Sequence, residues 1–151
     1  MIRVVVAVAL AVLVALPCAR AGDKKNDPEA AKKELAGLQG TWQCKAGESN
    51  GKDDGPDAPK LWVVTFDKGK MIYKENGKVV AEGDLEIDAT TSPKQITARF
   101  HALNQTDVMI FFRIGDVLVL CGHRDGKTRP TRFATGVKGG GAFLTAWERV
   151  K

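Results

Sequence analysis

The chain has 151 residues, of which 44% are hydrophobic and 27% charged, and a formal net charge of +5. That size and balance suit one globular domain built on one core and leave little for a second. The basic excess is too mild to imply nucleic acid, and 16 glycines and 6 prolines scattered at turn-like positions exclude collagen-like, low-complexity and fixed-period repeat architectures.

Residues 1–21 read as an export leader. Arg3 is a minimal positive n-region, Val4 to Leu16 is an unbroken apolar run, Pro17 breaks it, and Ala19-Arg20-Ala21 has the small-x-small form of a cleavage site. The apolar run would reach only about 20 Å as a helix, against a bilayer core of about 30 Å, so no transmembrane segment is expected after processing. Cys18 offers a lipoprotein alternative, but Pro17 stands where a lipobox wants a small residue, and anchoring there is the lesser expectation. The mature chain is expected to begin at Gly22, in the periplasm or outside the cell, with 21 basic residues against 18 acidic ones.

Residues 22–39 read as a polar linker and one short helix. Asp27-Pro28-Glu29 combines an N-cap, a proline at the first helical position and an acid in the first turn. Ala31, Leu35 and Leu38 then form a narrow apolar stripe, and Gly37 is expected to end the helix. Gly40 allows a tight backbone path into the first strand, where Trp42 supplies the indole around which the core should form. Trp42 and Cys44 face inward by alternation, and residues 48–59, rich in Gly, Asp, Asn and Pro, read as a long surface loop.

From Leu61 the apolar period is two. Leu61 to Phe66 is a β-branched and aromatic run, Asp67-Lys68-Gly69 a turn, Met71 to Lys74 a short strand, and Asn76-Gly77 a strong hairpin signal. Val79, Ala81, Gly83, Leu85 and Ile87 alternate with a mostly wet face carrying Glu82, Asp84, Glu86 and Asp88. Ile96, Ala98, Phe100 and Ala102 are expected inside the next strand, followed by strands at Val108 to Ile114, Val117 to Leu120, Thr131 to Thr135 and Ala142 to Val150. Gly139 to Gly141 reads as a pliable turn. Eight or nine consecutive strands joined by short turns predict an all-β, up-and-down antiparallel barrel over residues 40–151, a sandwich being the alternative.

A short helix followed by Gly40-Thr41-Trp42 at the head of such a barrel resembles the lipocalin signature. That resemblance implies a tryptophan packed at the closed end with an arginine from near the last strand lying across it, and Arg149 is the position that matches. Leu35 to Trp42, Gly77 to Gly83, Leu118 to Cys121, and Arg129-Pro130-Thr131-Arg132-Phe133 together resemble more closely an uncharacterised family of exported lipocalin-like domains known mainly from planctomycete bacteria. The resemblance covers nearly all of the mature chain and implies a fold, with no activity to carry over.

Signals of chemistry are sparse. His123-Arg124-Asp125 matches a kinase tripeptide in letters only, Asn104-Gln105-Thr106 is a formal glycosylation sequon, and no nucleophile has a base at a recognisable spacing. Cys44, His101, Cys121 and His123 are the soft side chains left after processing, without metal-ligand spacing. No catalytic residue, metal or cofactor is expected. Cys121 is out of phase with Leu118 and Leu120, which leaves both a Cys44–Cys121 disulfide and two free thiols open.

Two candidate features remain. The inner wall is assigned Trp62, Val64, Phe66, Phe100, Ile110, Phe112, Phe143 and Trp147, with Trp62, Phe66, Phe100, Phe112 and Trp147 the expected lining for a small apolar ligand. The interior is expected to be mostly filled, with a small cavity at the open end. The second feature is a basic loop, Arg124, Lys127, Arg129, Arg132 and Lys138, which could steer an anionic envelope partner to the barrel mouth. The favoured expectation is thus a non-enzymatic exported binder of a small apolar or amphipathic molecule. Its rival is a solid-barrel interaction module that recognises a partner through surface loops.

Overall fold

A computed structural model describes residues 27–136 and 140–151. The leader at 1–21, the polar stretch 22–26, and Lys138 and Gly139 of the expected basic loop and glycine turn lie outside the described residues. Among the described residues there are one α-helix and nine strands. Helix α1 is Pro28–Leu38, and the strands are β1 (Gly40–Ser49), β2 (Lys52–Asp53), β3 (Trp62–Asp67), β4 (Lys70–Glu75), β5 (Lys78–Asp88), β6 (Lys94–Phe100), β7 (Gln105–Ile114), β8 (Val117–His123) and β9 (Ala142–Arg149).

All pairings are antiparallel. Each strand from β3 to β8 pairs with the next, β1 pairs with β3 on one side and β9 on the other, and β2 adds two residues to the end of β1. Eight strands therefore close into a lipocalin-like up-and-down barrel, which satisfies every edge but that of β2.

Helix α1 seals one end. The Asp27 carboxylate accepts from the amides of Glu29 and Ala30, and Leu38 is fully buried, with Ala31 and Leu35 against the core. The helix runs one residue past Gly37. The bare Cα there lies under the Arg113 guanidinium, which a β-carbon would strike, so the glycine serves a close approach within the helix. Trp42, fully buried, donates from Nε1 to the Leu38 carbonyl at 2.8 Å. Met71, Phe66, Ile96, Phe111 and Leu118 fill this closed half.

Several sequence expectations change. Thr131–Thr135 forms no strand. Residues 124–136 instead make an irregular strap over the outside of the barrel, where Arg129 binds carbonyls of β6 and β7 and the Cys121 thiol donates to the carbonyls of Arg132 and Ala134. Thr135, at its far end, is buried and donates to the Glu48 carboxylate on β1. Strand β6 stops at Phe100, and a 3-10 turn over His101–Leu103 turns Ala102 to solvent. The 48–59 segment holds β2 before the 3-10 turn Ala58–Leu61.

Candidate functional site

The open half of the barrel is not filled. A cavity of about 560 Å³ enters it from the end opposite Trp42, lined by Trp62, Tyr73, Phe100, Phe143 and Trp147, with Cys44, Ala81, Gln105, Asp107, Arg124 and Thr145 among the remaining walls. Two glycines help set its shape. A β-carbon at Gly83 would come within 2.6 Å of the Arg99 carbonyl oxygen and 2.8 Å of the Phe100 ring, and one at Gly122 within 2.5 Å of the Met109 side chain and 2.6 Å of Phe143, so bare positions on β5 and β8 admit a close backbone approach and make room for these rings. Tyr73 stands at the centre of the aromatic wall, with ring centroids 5.9 Å from Phe100, 6.2 Å from Trp147 and 6.4 Å from Trp62. Its hydroxyl is held protonated by burial, with the Asp107 carboxylate adding to the effect.

Of the lining anticipated from sequence, Trp62, Phe100 and Trp147 stand on the cavity wall. Phe66 is inside the barrel but below the cavity, opposite Gly40 in the closed half. Phe112 is corrected outright: it is 46% exposed on the outer face, and Ile110, though buried, also points outward. The inward residues of β7 are Gln105, Asp107, Met109 and Phe111, as their pairing with Phe100, Ala98, Ile96 and Lys94 requires. Residues 108–112 are apolar without interruption because the strap covers the outward Val108 and Ile110, so alternation carried no phase there.

Asp107 is the residue that sequence reasoning passed over. It is 3% exposed, Gln105 donates to its Oδ1 at 2.7 Å, and no described residue donates to Oδ2. Burial pushes its carboxyl above the ordinary aspartate value, which the Gln105 hydrogen bond and the Arg124 charge only partly offset. Arg124 stands at the rim with its guanidinium 5.4 Å from the centre of the Phe143 ring. The Cys44 thiol faces inward and is pushed up to about 11, burial being the main cause. Cys121 faces the strap on the other side of the wall, and both thiols are free.

The basic loop is also reassigned. Arg129 is committed: its guanidinium donates to the carbonyls of Ile96 at 2.7 Å and Met109 at 2.6 Å and to the Thr97 hydroxyl at 2.7 Å, riveting the strap to β6 and β7. Lys127 and Arg132 are exposed on the outer strap, and of the described members of this set Arg124 is the one at the cavity. At the opposite end Arg149 lies over the Trp42 ring, 4.1 Å from its centre, and donates to the carbonyls of Gly37 and Gln39 and to Asp116.

The other chemistry-bearing side chains are dispersed. His101 is exposed beside Asp84, and His123 sits 3.2 Å from Asp125 without the alignment of a hydrogen bond. The acidic row on β5 is paired: Lys70 meets Glu82 at 3.5 Å and Asp84 at 3.2 Å, and Arg99 meets Glu86 at 2.9 Å. Among the described residues no three His, Cys, Asp or Glu side chains converge as a metal site, and no helix is long and apolar enough to cross a membrane. No protein-family model, curated protein or solved structure matches the chain.

Proposed function

We propose that this chain is an exported, non-enzymatic member of a lipocalin-like family that holds one small, mainly apolar molecule in the open half of its barrel. The observation that carries this reading is the aromatic cavity. Its volume, about 560 Å³, falls within the range of small-molecule sites, and its wall combines five aromatic rings with a few polar groups, the usual composition of such sites. A barrel of this size can be filled by its own side chains, yet on this wall β5 presents the small Ala81 to the void. Export rests on the leader pattern of residues 1–21. The solid-barrel alternative retains Arg124, Lys127 and Arg132 as free cations, but an unfilled interior favours the first reading.

N-phenyl-1-naphthylamine, a neutral apolar fluorophore, should bind saturably at one molecule per chain and quench Trp62 and Trp147 as it does so. Ala81→Phe, which extends a lining side chain into the void, should weaken that binding at least about tenfold while the protein stays folded. Titration showing no saturable binding to the parent would remove the carrier reading and leave the interaction module.

A further inference from the structure

We propose that the occupant of the cavity is an organic cation, an amine or quaternary ammonium on an apolar body, with Asp107 as its counter-ion. This rests on the carrier reading above and specifies its ligand class.

Asp107 is a poor choice for a wall whose only task is to be apolar. Its partner across the sheet on β6 is Ala98, and its neighbours around the cavity include Tyr73, Phe100, Phe143 and Trp147. A carboxylate withdrawn from water to this degree is disfavoured unless it gains a charged partner and a full set of hydrogen bonds. Gln105 supplies one hydrogen bond, and among the described residues the second oxygen has no donor and no cationic side chain lies within ion-pair distance. What is missing is a positive charge placed from the cavity side.

The surrounding rings suit the same species. Aromatic faces carry negative quadrupole potential and attract a desolvated cation. Among the described residues Arg124 is the one positive side chain on the cavity wall, against the carboxylates of Asp54 and Asp107. It is exposed at the rim, where water screens it, whereas Asp107 acts from a buried position of lower effective dielectric. The deeper charge therefore decides the sign of the ligand.

Three probes of one shape separate the alternatives: 3-phenylpropylamine, 3-phenylpropan-1-ol and 3-phenylpropionate, titrated calorimetrically into the intact protein at neutral pH. The amine should bind at least about tenfold more tightly than the alcohol, a difference of about 1.4 kcal/mol. Asp107→Asn, which keeps the shape and can still accept from Gln105, should bring amine and alcohol to within about twofold of each other without weakening the alcohol. Circular dichroism and the unchanged alcohol affinity would show that the variant is folded. An amine that binds no better than the alcohol, a preference for the propionate, or a preference for the amine that survives Asp107→Asn would each overturn the proposal while leaving the carrier reading intact. If none of the three probes nor N-phenyl-1-naphthylamine binds, the carrier reading falls and this inference falls with it.

Discussion

Trp42 and Arg149 work as a unit although they sit at opposite ends of the barrel sequence. Arg149 stacks on the indole, whose Nε1 donates to Leu38, and the same guanidinium satisfies the Gly37 and Gln39 carbonyls at the end of α1. Helix ends leave carbonyls without intrahelical partners, so this arginine both caps the helix and fastens it to β9. Arg149→Ala should cost about 2 kcal/mol in urea unfolding, combining a lost cation–π contact with charged hydrogen bonds to carbonyls. Arg149→Lys should recover only part of it, since an ammonium cannot stack and reach both carbonyls with a planar fork. A loss under about 0.5 kcal/mol for Arg149→Ala would show that the closed end is held by apolar packing alone.

At the scale of elements, the strap explains two features that a bare barrel would not have. It buries the outward-facing Val108, Ile110 and Cys121, and it uses Arg129 as an anchor rather than as a free charge. Arg129→Ala should therefore destabilise the protein by about 1.5–3 kcal/mol and speed modification of the Cys121 thiol, as three charged hydrogen bonds are lost. Lys127→Ala and Arg132→Ala, exposed on the same segment, should change stability by less than about 0.5 kcal/mol. Equal effects at all three positions would contradict the anchoring role. Beyond the strap the outer wall of β7 and β8 carries Phe112, Ile114 and Val117 in the open, which is where the cover ends. Charge reversal intended to test an anionic partner belongs at Lys127 and Arg132, since reversal at Arg129 would disturb the wall itself.

The whole molecule is sealed by packing at one end and hollow at the other, and its charges respond to pH in opposite directions. The Lys70 ammonium holds exposed Asp84 below the ordinary carboxylate value, with His101 assisting, and hydrogen bonds from Thr128 and Lys127 do the same for Asp125. Such groups contribute stability that is lost as pH falls through their folded values. Asp107 is raised instead, so the folded state binds its proton more tightly than the unfolded chain, and stability from this group falls as pH rises above about 3.8 until the folded value is passed. Unfolding of the parent and Asp107→Asn compared across pH should show the parent losing ground to the variant as pH rises, with the difference then levelling off. A difference independent of pH would mean that Asp107 titrates alike in the folded and unfolded states.

Local sequence determined the elements that depend on local chemistry. The N-cap at Asp27, the proline after it, the Asn76-Gly77 hairpin and the alternation of β5 are each encoded within a few residues, and the run of short strands and turns pointed to an up-and-down barrel, although the strand expected at Thr131 to Thr135 does not form and β8 pairs directly with β9. The inward phase of Trp62, Phe100 and Trp147 was legible for the same reason. Only the tertiary structure decided which face of β7 is inner, because the strap made both faces apolar and erased the period. It likewise decided that Arg129 is spent on carbonyls and Phe112 is left outside. Asp107, on one strand, and Tyr73, on another far along the chain, became parts of one cavity only when the barrel closed. A side chain's burial and partners are set by what the rest of the chain places beside it, and neither its own identity nor its neighbours in sequence carry that information.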